Sequence, residues 1–104
     1  MRVAIPSSSD KTDALLDDRF ARCAFFCFYN TETKDIQFVI NNFRSATEGV
    51  GPQVVEFLAG NGISAVYASE VGPKAQKILD KLNIRTIIAG TKLTMQQIIN
   101  QLDN

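Results

Sequence analysis

An α/β domain is the fold class this chain predicts: a mixed five-stranded sheet of order β-β-β-α-β-α-β-α with helices on both faces. Two patterns predict it. Phe25 to Tyr29 and Ile36 to Ile40, separated by the turn residues of Asn30 to Asp35, describe a hairpin. In the C-terminal half, Val50-Gly51-Pro52-Gln53 recurs as Val71-Gly72-Pro73-Lys74; at the same offset of 21 residues Leu58 answers Leu79, Ile63 answers Ile84 and Ala68 answers Ala89. A repeated helix–strand unit requires right-handed crossovers and a parallel region, whereas the hairpin adds an antiparallel one.

The elements follow in order. Arg2 to Ile5 is a short apolar run closed by Pro6 and Ser7-Ser8-Ser9, which reads as a strand followed by a long aspartate-bearing loop through Asp18. In the hairpin's second strand Ile36, Phe38 and Ile40 alternate with Gln37 and Val39, and a second loop runs from Asn41 to Gly51. Each repeat opens with Gly-Pro, where proline suits the first helical position because its missing N–H has no intrahelical partner there. Helical spacing then links Val54, Phe57 and Leu58 in one copy and Ala75, Ile78, Leu79 and Leu82 in the other. The unbroken runs Ala65 to Ala68 and Thr86 to Ala89 suit strands covered on both faces. Thr94-Met95-Gln96-Gln97 is a capping-box pattern that starts a third helix, with Met95, Ile98, Ile99 and Leu102 facing the core. With the first strand central, the topology resembles the ribonuclease-H-like three-layer fold.

Composition excludes several functions. At 104 residues the chain predicts a single domain, 1–104, large enough to bury a core without staples. Eleven basic residues balance eleven acidic ones, which argues against a sequence-independent nucleic-acid binder and leaves open only a local basic patch. Cys23 to Tyr29 and Ile87 to Ala89 are far shorter than the roughly 20 apolar residues that cross a bilayer. Met1 to Pro6 is too short for a signal-peptide core, so a cytoplasmic location is expected, and the two cysteines are expected as thiols. The absence of histidine removes Ser-His-Asp and Cys-His catalysis and histidine-ligated zinc. Two-metal nuclease chemistry needs carboxylates on the central strands, and neither Arg2 to Ile5 nor Ala65 to Ala68 has one.

Ligands of open α/β sheets collect at the carboxyl ends of parallel strands, where helix N-termini offer unpaired N–H donors and partial positive charge. Three such ends are expected here: Pro6 to Ser9, Ser69 to Gly72 and Gly90 to Thr94. Ser7, Gly51, Ser69 and Gly72 are candidate backbone donors or plain turn residues. Gly49-Val50-Gly51-Pro52 lacks both the trailing Gly-Lys-Ser/Thr and the preceding strand of a phosphate loop. Arg19 and Arg22 bracket Phe20 ahead of the second strand; they either clamp a polyanion or pair with Asp17 and Asp18 on the surface. Cys23 and Cys27 would share one strand face with Phe25 and Tyr29, about 13 Å apart, too far for one metal ion to bridge easily. Two thiols do not complete a four-cysteine site, so buried core residues are the better reading, with Cys23 the one nearer the loop. Asp10 and Glu70 near the crevice do not by themselves define a catalytic site.

Together these segments resemble the dinitrogenase iron–molybdenum cofactor biosynthesis family, the small domain of NifX-type proteins and of the end of NifB-type proteins. Val3-Ala4-Ile5-Pro6 resembles its first strand, and Asp18-Arg19-Phe20-Ala21-Arg22-Cys23-Ala24-Phe25-Phe26 its His/Arg-Phe-Gly-Arg-Ala segment. Gly49-Val50-Gly51-Pro52 resembles its glycine-rich start of the first helix, and Ser69-Glu70-Val71-Gly72-Pro73-Lys74-Ala75 its Gly-x-x-Gly-Pro-x-Ala turn. The match runs from about Arg2 to Leu102. It implies a non-catalytic carrier of an anionic iron–sulfur or iron–molybdenum cluster or precursor, passed between donor and recipient proteins, with Ser7, Arg19, Phe20, Arg22, Gly51, Ser69 and Gly72 around it. Arg19 stands where some relatives have histidine, Ala21 where glycine is usual and Ala68 where some have cysteine, which leaves Cys23 alone for direct ligation of a metal. The rival readings are a metal-free regulatory module that binds a phosphate-like anion or a partner protein, and a transferase or hydrolase using Asp10 or Glu70.

Overall fold

The computed structural model describes residues 1–88, 90 and 92–103. One five-stranded sheet has the order β3-β2-β1-β4-β5, with β1 (Arg2–Ser7) at its centre. β2 (Phe25–Asn30) and β3 (Ile36–Ile40) form the expected hairpin, and β1 pairs antiparallel with β2 from Arg2↔Asn30 to Ser7↔Phe25. On its other side β1 pairs parallel with β4 (Ala65–Ala68), which pairs parallel with β5 (Arg85–Ile88). This is the mixed sheet the sequence predicts.

Strand alternation divides the core in two. Ala4, Phe26, Phe28, Val66 and Ala68 face α1 (Val50–Gly60) and α2 (Pro73–Lys81), meeting Val54, Leu58, Ala75 and Leu79. Val3, Ile5, Cys27, Tyr29 and Tyr67 face α3 (Met95–Leu102), meeting Met95, Ile98 and Ile99. The long loop is firmly tied at the sheet edge. Ser7 bridges Leu16 and Leu15 bridges Thr94, so Ala14 and Leu16 cover the α3 side of the core.

Four details differ from the sequence reading. Phe20–Arg22 forms a 3-10 turn where only loop is expected. α1 starts at Val50, so Pro52 is its third residue, whereas Pro73 opens α2. Neither proline breaks a bond, because the first four N–H groups of a helix have no partner within it. β5 is an edge strand with Ile88 65% exposed, so cover on both faces describes β4 and not β5; Ala89 lies outside the described residues. Finally, Cys23 precedes β2 instead of belonging to it. It joins the α1/α2 core while Cys27 joins the α3 core, so the two thiols lie on opposite sides of the sheet.

Candidate functional site

A cleft of about 650 Å³ opens between the 3-10 turn and the starts of α1 and α2. That volume lies in the usual range of ligand sites. Its three walls come from residues 18–22, from 49–52, and from 70 with 72–75. Gly51 sets the distance between the two helices, since a Cβ there would stand 3.3 Å from Ala75 Cβ. Gly49 starts α1 with φ of 64°, a conformation that glycine adopts without strain.

Both helix starts are open. α1 and α2 carry no side-chain cap, and among the described residues the N–H groups of Val50, Gly51, Lys74 and Ala75 have no hydrogen-bond acceptor. The first intrahelical bonds are those of Gln53 to Gly49 O and Gln76 to Gly72 O. Two sets of free donors and two positive dipole ends therefore face one cleft. Around them stand Arg19, Arg22 and Lys74, with the carboxylates of Asp18 and Glu70, while Phe20, Ala21, Val50, Pro52 and Pro73 supply apolar surface.

The turn is held by its neighbours. Phe20 is buried edge-on against Phe26, centroids 5.9 Å apart. Asn41, 1% exposed, donates from Nδ2 to Ala21 O at 2.9 Å and Cys23 O at 3.0 Å, and accepts from Phe43 N at 3.0 Å. Arg22 Nη1 donates to Arg44 O and Ala46 O, so this guanidinium ties the turn to the segment that leads into α1. Arg19 pairs with Asp17, as one of the two sequence alternatives holds; Arg22 takes carbonyls in place of either aspartate.

Of the sequence candidates, Arg19, Phe20, Arg22, Gly51 and Gly72 line the cleft. Ser69 borders it and donates to Asp18 Oδ1 at 3.3 Å. Ser7 is buried at the end of β1, its hydroxyl donating to Ser9 O, and does not line the cleft. Thr91, in the third expected strand end, lies outside the described residues. Cys23 is fully buried, and its thiol is pushed up to about 12, by burial first and then by the charge of Asp17. A thiol that stays protonated is a poor metal ligand. Among the described residues no group of three or more cysteine or carboxylate side chains is gathered to hold a metal ion. The cleft thus offers charged side chains and free N–H donors, with no gathered set of metal ligands among the described residues. Sequence reasoning missed Lys74, although Gly-Pro-Lys places it at the second position of an open helix, and Asn41, which reads as an ordinary turn residue.

Fold and cleft define a small three-layer α/β domain with an open pocket between two uncapped helix starts. The family described as dinitrogenase iron-molybdenum cofactor matches residues 1–104, and the chain belongs to it. The apo form of the orange protein from Desulfovibrio gigas superposes with a TM-score of 0.90 at 28% identity, over 96% of this chain and 84% of that one. The NMR structure of a Thermotoga protein, described as a candidate NifB protein of the DUF35 family, does so with a TM-score of 0.82 at 33% identity, over 95% and 84%. An uncharacterised protein of Methanocaldococcus jannaschii is 29% identical over 94 residues, 88% of this chain and 76% of its own. No helix among the described residues is long and apolar enough to cross a membrane.

Proposed function

We propose that this protein is a non-catalytic, cytoplasmic carrier of an anionic metal–sulfur cofactor or its precursor, of the iron–sulfur or iron–molybdenum type, which it receives from a donor protein and passes to a recipient. The observation that carries the reading is the convergence of four free N–H groups and three cationic side chains on one partly apolar cleft. A metal–sulfur cluster combines negative charge with a bulky, weakly hydrated sulfur surface. The N–H groups and cations answer the charge, and Val50 and the two proline rings answer the sulfur. Family membership and the likeness to the apo orange protein support the same reading.

Arg19 and Lys74 would contact the cargo. Arg22 would brace the wall, and Gly51 and Gly72 would shape the floor, with Ser69 at its border. Cys23 contributes packing.

Anaerobic titration with tetrathiomolybdate and with a preformed iron–sulfur cluster, followed by gel filtration with absorption detection, tests this. Colour should co-elute with the wild type, and Arg19→Gln with Lys74→Gln should weaken uptake by at least about 10-fold without changing the melting temperature. Stabilisation by inorganic phosphate with no uptake of either cluster would instead favour the regulatory, metal-free reading.

A further inference from the structure

The Arg19 guanidinium, which the cleft offers an anion, is already held by the acid two residues before it. Asp17 Oδ1 accepts from Arg19 N at 2.9 Å and from Arg19 Nε at 3.4 Å, and Asp17 Oδ2 accepts from Arg19 Nη2 at 3.4 Å. Asp18 Oδ1 accepts from Ser69 Oγ at 3.3 Å, which links the turn to the β4–α2 wall. Asp17's side chain is only 10% exposed, while that of Arg19 is 65% exposed. Lys74, by contrast, makes no ion pair among the described residues.

We propose that Asp17 acts as a built-in competitor anion: it occupies Arg19 in the free protein, must yield it when cargo enters, and so speeds the cargo's release. The inference rests on the anionic-cargo reading of the cleft. A monoanion that reaches Arg19 alone gains little beyond what Asp17 already supplies. A polyanion reaches Arg19, Lys74 and the four N–H groups at once, which outweighs one weak pair whose arginine side chain is 65% exposed. Asp17 remains beside Arg19, ready to take it back, so a carrier that must hand over its load is not trapped with it.

Asp17→Asn tests the idea, because it keeps size and an acceptor for Arg19 N while removing the charge. It should bind tetrathiomolybdate, a dianion, about 3- to 10-fold more tightly, with slower release in stopped-flow displacement. Perrhenate, a tetrahedral monoanion, should gain less, because the removed charge repels it only half as strongly. In an Arg19→Gln background the Asp17→Asn gain should vanish. An unchanged or weaker affinity in Asp17→Asn, while Arg19→Gln still weakens uptake, overturns the competitor and leaves the cargo reading standing. An equal gain without Arg19 also overturns it, since the effect would then be general charge. Binding by neither wild type nor Asp17→Asn overturns both.

Discussion

Helices α1 and α2 start at the same edge of the sheet as α3 but on the opposite face, and the two faces treat their helix starts in opposite ways. At α3 every early donor is closed by the protein. Thr94 Oγ1 accepts from Gln97 N, Gln97 Oε1 accepts from Thr94 N, and Met95 N and Gln96 N donate to Ala14 O and Thr12 O. At α1 and α2 four N–H groups stay open, and Pro52 and Pro73 each remove one more. The difference separates a joint from a receptor. A closed start spends its donors on fixing the long loop, and an open one keeps them for a ligand. Proline on the open side also lowers the number of bare donors that water must satisfy and presents an apolar ring in their place.

The largest expected effect would break the receptor side through a residue that touches no ligand. Asn41→Ala leaves the Ala21 and Cys23 carbonyls and the Phe43 N–H without their buried partner. It should cost about 2–4 kcal/mol, read as a lower urea midpoint at unchanged slope. Uptake of tetrathiomolybdate should fall too, because the turn that carries Arg19 loses its seat. A loss below about 1 kcal/mol with full uptake would show that Phe20 and Arg22 hold the wall unaided.

Both sides of this contrast were unequally legible in the sequence. The α3 start could be read from four residues, because a capping box is local: threonine and glutamine three apart satisfy one another whatever the rest of the chain does. The hairpin and the helix–strand repeat were legible for the same reason, through periods of 2 and 3.6. The receptor side depends on segments far apart in sequence. Nothing near Arg22 announces that it reaches Arg44 and Ala46, and nothing near Asn41 announces its bonds to Ala21 and Cys23. The placement of the cysteines failed on a single residue of register. A strand that starts at Phe25 leaves Cys23 outside the alternation, free to turn to the other face.

A smaller effect sharpens the contrast from the α3 side. Thr94→Ala removes the acceptor for Gln97 N and should cost about 1 kcal/mol of stability, measured by the same urea unfolding. Cluster uptake should stay at the wild-type level, because no residue of this joint lines the cleft. A drop in uptake comparable to that of Asn41→Ala would erase the division between joint and receptor.

The smallest effect lies at the far end of α3, where a latch ties the residue after the helix to the hairpin. Asp103 accepts from the Tyr29 hydroxyl of β2 and from Lys34 Nζ at 3.0 Å. The bond from Tyr29, then that from Lys34, holds the Asp103 carboxyl below its usual 3.8. A depressed carboxyl stabilises the fold above its unfolded value, so this contribution is lost as pH falls from about 3.8 through the lower folded value. The Tyr29 phenol is pushed up to about 12, chiefly by its bond to Asp103 and next by burial. A raised phenol works in the opposite direction: its contribution is complete below pH 10 and disappears as pH climbs towards about 12. Asp103→Asn should therefore flatten both limbs of the stability–pH curve and bring the tyrosinate absorbance of Tyr29 back towards a midpoint of 10, with the cleft unaffected. A wild-type Tyr29 that already titrates near 10 would show that the latch is open in solution, and the end of α3 would then be free of the hairpin.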